Sequence, residues 1–174
     1  MSKPHEEHQA LGPKKAAVRL VTVSTSRYEK VQRGEKFNDE SADEAKLAIA
    51  RLGFELKGRE IISDDEGMLR REAEKFLSGP EDILIFTGGT GVSTKDVTIE
   101  TIRPYLEKEL DGFGELLRSL SYREIGSAAI LTRATAGVAK GKLIVCLPGS
   151  PDAVKLALMS LGKDFPHALY IART

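Results

Sequence analysis

The chain has one cysteine, no tryptophan, one asparagine and two glutamines. A lone thiol, Cys146, excludes an intramolecular disulfide and a zinc site built on cysteines. Set in an apolar run, it reads as a small buried hydrophobe. Excess charge is also absent. Lys plus Arg and Asp plus Glu stand at 26 each, so bulk composition offers no basic face for nucleic acid. A local pocket for a small anion stays open. No apolar run is long enough to span a bilayer, and the first fifteen residues lack the apolar stretch of a secretory signal. A soluble cytoplasmic protein with no membrane partner is expected. The scarcity of Asn38, Gln9 and Gln32 beside 14 Lys and 17 Glu is the composition of heat-adapted proteins, and predicts a thermophilic source.

What is present is a regular alternation of strands and helices. The length, 174 residues, suggests one domain with a real core. Residues 1–15 read as a flexible tail, with His5 and His8 too few for a metal site, and 16–174 as a single domain. "AVRLVTVS" (17–24) predicts a buried strand, and Ser24 to Asp39 a long polar loop. Helical spacing follows over "ESADEAKLAIARLGF", with Ser41 or Asp39 as N-cap and Gly53 as stop. "FELKGREIIS" predicts a weaker strand and "DDEGMLRREAEKFLSG" a second helix. "DILIFTG" (82–88) is uniformly apolar, as a central parallel strand should be. A helix from about Val97, disturbed by Pro104, comes next, then a short helix in "GFGELLRSLSYREIG". "AAILTR" is apolar, "GKLIVCLPGSP" is a strand, and a helix opens near Pro151. "PHALYIART" reads as a closing tail, with His167 in a packing role. The pattern is that of a three-layer α/β/α sandwich with a mostly parallel central sheet.

In such sheets ligands sit beyond the carboxyl ends of the strands. Three loops occupy that position: one beginning at Ser24, the glycine loop "TGGTG" (87–91), and "LPGSP" (147–151) with Pro148, Gly149 and Ser150. Gly88, Gly89 and Gly91 permit positive φ and close approach of a ligand to the backbone. Successive amides there form a nest for an anion, and Thr87 and Thr90 add hydroxyls. The loop is neither a Walker A motif nor a GxGxxG fingerprint, and on its own it leaves a ligand-free tight turn equally open. Asp96 follows closely. Beside phosphates a carboxylate calls for a divalent cation; the plainer alternative is an N-cap for the next helix. Asp64 and Asp65 follow the second strand, one expected as a cap and the other within reach of the crevice. Glu100 falls one turn after Asp96 on the same helix face. Ser119 and Ser121 add hydroxyls. The histidines lie near the ends, which disfavours Ser-His or Cys-His chemistry. Phosphoryl or nucleotidyl transfer needs positioning, a metal and charge neutralisation instead.

"TGGTG…D" at 87–96, "GFGELLRSLSYREIG" at 112–126 and "LPGSP" at 147–151 together resemble the MoaB/MogA family of molybdenum cofactor biosynthesis, which includes the G domain of gephyrin. The resemblance runs from about Val18 to about Leu161, and "FGELLRSLSYREIG…AGVA" looks closer to the MoaB branch. It implies a molybdopterin-binding fold assembled as a homotrimer or homohexamer. It also implies molybdopterin adenylyltransferase activity, with ATP and molybdopterin as small-molecule substrates, Mg²⁺ as cofactor, and hand-over to a molybdate-insertion protein. By the resemblance, Asp64 and Asp96 match the two essential acids and metal ligands. Gly88 to Gly91 match the nucleotide-phosphate loop. Ser150 with its turn, Ser119 and Ser121 match the lining of the pterin and phosphate pocket. Many members carry an acid after the Ser of the first loop; here it is Thr25, which puts a metal or ribose contact there in question. Two other readings compete. One is a molybdopterin carrier without turnover, which the presence of both acids opposes. The other is a nucleotide pyrophosphate hydrolase of the CinA type, which shares the loop pattern.

Overall fold

β1 (Ala17–Val23) is buried along almost its whole length, as a strand covered on both faces must be. Its side chains alternate between two cores, Val18 and Leu20 on one side, Val21 and Val23 on the other. The structure is a computed structural model and describes residue 13 and residues 15–174. The tail expected over 1–15, with His5 and His8, falls outside the described residues except for Pro13 and Lys15.

After β1 come α1 (Thr25–Gln32), α2 (Glu40–Arg51), β2 (Glu55–Ile62), α3 (Glu66–Ser78), β3 (Ile83–Thr87), α4 (Thr98–Ile102), β4 (Lys108–Glu109) and α5 (Asp111–Ile125). β5 (Thr135–Ala139), β6 (Lys142–Leu147), α6 (Pro151–Leu161) and α7 (Phe165–Ala172) complete the order. The strands form one six-stranded sheet, β2-β1-β3-β6-β5-β4. The first four run parallel, while β5 and β4 pair antiparallel.

Helices cover both faces. The small stripe Ala42, Ala45, Ala48 and Ile49 brings α2 close to one face, beside Leu117 of α5, Val154 and Leu158 of α6 and Leu169 of α7. On the other face Leu69, Ala73 and Phe76 of α3 and Ile99 and Ile102 of α4 pack on Leu84, Phe86, Ile144 and Cys146. Each large side chain fully buried there contributes about 1.5–3 kcal/mol. This is the expected three-layer sandwich. Cys146 is fully buried, and burial pushes its thiol well above the ordinary cysteine value. Side-chain caps fix the helix starts near the sheet. Asp39 accepts from Ala42 N at 3.3 Å, Asp65 from Met68 N at 2.8 Å and Ser150 from Ala153 N at 3.3 Å.

Three local expectations are corrected. The polar stretch after Ser24 is not all loop: it opens with α1, which Ser24 caps through Arg27 N and which buries no residue. The "GFGELLRSLSYREIG" helix is not short but runs 15 residues. For "AAILTR", to which the sequence assigns no element, the structure places Ala128–Leu131 in a 3₁₀ segment, Gly126–Leu131, with Ile130 83% exposed. The closing "PHALYIART" is mostly helix, since Pro166 sits in its first turn where a missing N–H is tolerated.

Candidate functional site

The chain passes from β1 to β2 on one side and then to β3 on the other side of β1. That reversal opens a crevice at the carboxyl ends of β1 and β3, where open α/β sheets bind ligands. The loops after Val23 and Thr87 stand on its two walls.

The glycine turn is built to be narrow. Gly88 N donates to Leu147 O at 3.0 Å, which carries the β3–β6 pairing one residue past the strand. Gly88 and Gly89 have φ of +103° and +64°, and a Cβ on Gly88 would stand 2.3 Å from Val23 O. A Cβ on Gly89 would meet Thr98 Oγ1 at 2.4 Å and Asp64 Oδ1 at 2.9 Å. Thr98, at the start of α4, takes both glycine carbonyls. Its Oγ1 donates to Gly88 O and its N–H to Gly89 O, each at 3.0 Å. In a trans peptide the C=O and the following N–H point opposite ways. With those carbonyls turned toward α4, the amides of Gly89 and Thr90 face away from it, the arrangement an anion needs. Thr90 is buried, and Thr87 Oγ1 is buried with no hydrogen-bond partner among the described residues.

Two carboxylates bracket the turn. Asp64 Oδ2 accepts from Thr25 N at 2.9 Å and Thr25 Oγ1 at 2.8 Å, while Oδ1 lies against Gly89. Ser63 adds a hydroxyl 2.9 Å from Thr25 Oγ1. Asp65 is the cap of the pair, as expected. Asp96 accepts from Ser93 N at 2.9 Å through Oδ2, which would meet a Cβ on Gly91 at 2.8 Å. The plainer alternative for Asp96 is corrected: Val97 is the N-cap of α4 and no side chain caps that helix.

The third turn packs against the second, since a Cβ on Gly149 would stand 3.2 Å from Gly88 Cα. Pro148, Ser150 and Ser121 line a cavity of about 300 Å³ with Ile125, Leu131 and Leu156. Ser121 is buried on the inner face of α5, whereas Ser119, two residues away on the helix, is exposed and does not line this cavity. Ser24 caps α1 at the mouth of the crevice, and Ser24 N donates to Ile62 O at 2.8 Å.

Glu100 is not free. Arg133 Nη2 donates to its carboxylate, and Arg133 Nη1 donates to Gly91 O at 2.7 Å. Partial burial pushes the Glu100 carboxyl up. Arg133, the helix backbone and the charge of Arg103 together outweigh that and leave it below the ordinary glutamate value. Sequence reasoning missed Arg133 and the supporting roles of Thr25 and Thr98. Arg133 lies 42 residues from Gly91; the one signal was a lone cation between two apolar segments.

A larger cavity, about 590 Å³, lies away from these turns, between β4, β5 and α7. Among the described residues no three His, Cys, Asp or Glu side chains gather as a metal cluster, and no helix is long and apolar enough to cross a membrane.

The family model described as "Probable molybdopterin binding domain" matches residues 19–167. A protein of Methanocaldococcus jannaschii named "Probable molybdopterin adenylyltransferase" is 38% identical over 151 residues, covering 86% of this chain and 90% of its own. "Molybdenum cofactor biosynthesis protein B" of Staphylococcus carnosus is 40% identical over 155 residues, 87% of each chain. Among solved structures, the tungsten cofactor synthesizing protein MoaB of Pyrococcus furiosus superposes with a TM-score of 0.81 at 36% identity. That match covers 93% of this chain and 99% of the other.

Proposed function

The chain belongs to the molybdopterin-binding domain family of molybdenum cofactor biosynthesis, and on that premise we propose that it is a molybdopterin adenylyltransferase. The terminal phosphate of molybdopterin forms a bond to the α-phosphorus of ATP. The bridging bond between the α- and β-phosphates breaks, and pyrophosphate leaves with the electron pair. The observation that carries this reading is the glycine turn between two carboxylates, with a second pocket one turn away.

The amides of Gly89 and Thr90 bind phosphate oxygens of the nucleotide. Thr87, Ser24 and Gly91 shape the same cradle. Ser150, Gly149 and Pro148 at the start of α6, with Ser121 opposite, receive the pterin and its phosphate, where a helix N-terminus favours an anion. Ser119 is exposed on α5, outside the residues that line this cavity. Such catalysis rests on positioning the two anions and on neutralising their charge. Asp64 and Asp96 are the residues that would hold Mg²⁺. The donor set fits: two hard carboxylates beside hydroxyls, with no complete protein cage, suit an ion that keeps waters and substrate phosphates as ligands. When bound, the ion would neutralise charge on the phosphates and the departing pyrophosphate. Thr25 orients Asp64.

Assembly as a homotrimer or homohexamer, and hand-over of the product to a molybdate-insertion protein, belong to the same proposal. Exposed Leu116, Tyr122, Ile125, Ile130 and Leu131 on α5 and the turn after it support an interface between copies.

The test is incubation with molybdopterin, ATP and Mg²⁺, following adenylyl-molybdopterin by chromatography, with Asp64→Asn alongside. Product from the wild type and none from the variant is expected. Retained molybdopterin with no product would replace the transferase by a carrier.

A further inference from the structure

Three carboxylates surround the glycine turn, and only two of them have work to do with a metal. Glu100 would meet an incoming polyphosphate as a like charge. Arg133 pairs with it and, with the other arm of the same guanidinium, holds Gly91 O at 2.7 Å. Arg133 is itself firmly rooted. It lies two residues before Thr135, which is buried and paired with Cys146 at the carboxyl end of β6. β5 runs antiparallel to β6, so its entry rather than its exit reaches the crevice.

We propose that Arg133 is the positioning residue of the nucleotide site, fixing the glycine turn through Gly91 O and cancelling the Glu100 charge so that the polyphosphate can approach. With Gly91 O held by the guanidinium, the direction of the Gly91–Val92 peptide at the end of the turn is set by Arg133. A planar fork reaches both partners at once, whereas a lysine would serve one of them. The inference rests on the adenylyl-transfer reading for its substrate and makes nucleotide affinity the quantity Arg133 controls.

The experiment measures binding of Mg-ATP by calorimetry and adenylylation kinetics in parallel. It uses the wild type, Arg133→Met, Arg133→Lys and the pair Arg133→Met with Glu100→Gln, each checked for an unchanged circular dichroism spectrum. Arg133→Met should raise Kd and KM for Mg-ATP about ten- to a hundredfold, with kcat changed less. Arg133→Lys should recover part of the loss. The added Glu100→Gln should recover part as well, which a purely structural role for Arg133 would not produce. Unchanged Mg-ATP affinity in a folded Arg133→Met overturns the proposal, and no recovery on adding Glu100→Gln overturns its electrostatic half. A wild type that binds Mg-ATP without forming adenylyl-molybdopterin removes the transferase reading and leaves Arg133 standing on the binding data. A wild type that binds no nucleotide removes both.

Discussion

Thr25 holds Asp64 twice, backbone N–H and hydroxyl both donating to Oδ2, at 2.9 and 2.8 Å. One carboxylate oxygen is thereby fixed and the other is left facing Gly89. Thr25→Val keeps the size and the backbone bond but removes the hydroxyl donor. The expected result is a fall in kcat of at most about tenfold with little change in melting temperature, because the pair is exposed. Asp64→Asn is expected to lose adenylylation altogether. Steady-state kinetics on both variants decide; full activity in Asp64→Asn would take this carboxylate out of the mechanism.

Gly89→Ala is expected to abolish Mg-ATP binding. The new Cβ carries both a left-handed φ and close contacts with Thr98 and Asp64. Gly34→Ala separates the two effects, since Gly34 has φ +69° and open space around it. It should cost about 1–2 kcal/mol of stability from backbone strain alone and leave binding intact. Equal ATP affinity in Gly89→Ala and the wild type, measured by calorimetry, would refute the cradle.

Asp39 makes stability depend on acid. Burial pushes its carboxyl up, yet hydrogen bonds from Thr22, Arg59, Ser41 and Ala42 N outweigh that and hold it below the ordinary aspartate value. A lowered folded value means the contribution is present above the unfolded aspartate value and is lost as pH falls through the folded one. Asp39→Asn should therefore cost about 1–3 kcal/mol in urea unfolding at neutral pH. The gap to the wild type should narrow below about pH 4; a gap constant down to pH 2 would contradict this account.

Ile130→Asp bears on assembly. Its side chain stands 83% exposed on the turn after α5, so the fold of one copy should not change. Light scattering is expected to show a homotrimer or homohexamer for the wild type and smaller species for the variant. An unchanged mass would move the interface elsewhere.

The readable parts of this chain were those whose burial is local. β3 and β6 announce themselves because a strand covered on both faces carries an unbroken apolar run, Ile83–Phe86 in one and Leu143–Leu147 in the other. The glycine turn was readable because Gly88 and Gly89 answer to backbone geometry. α1 was not readable: it buries nothing, so it has no stripe to display, and only the Ser24 cap marks it. β5, "TAGVA", has a glycine at its centre, where Leu106 and Lys108 O leave no room for a Cβ, and so short a strand with little bulk leaves no pattern. Asp96 could be named from its spacing to the glycine loop, and Asp64 from its place after the second strand and from the family resemblance. What holds Asp64 could not, because Thr25 lies 39 residues from it, and pairings of that range are set by the sheet.

The strand order has a consequence for synthesis. β6 lies between β3 and β5 in space but is made 55 residues after β3 ends. Until it emerges from the ribosome, β3 is an open edge of four apolar residues and a threonine, the kind of surface that pairs with the wrong chain. Gly88 N meanwhile waits for Leu147 O. The nascent chain therefore carries its most adhesive strand and its unfinished glycine turn together, and the arrival of a single late strand closes both.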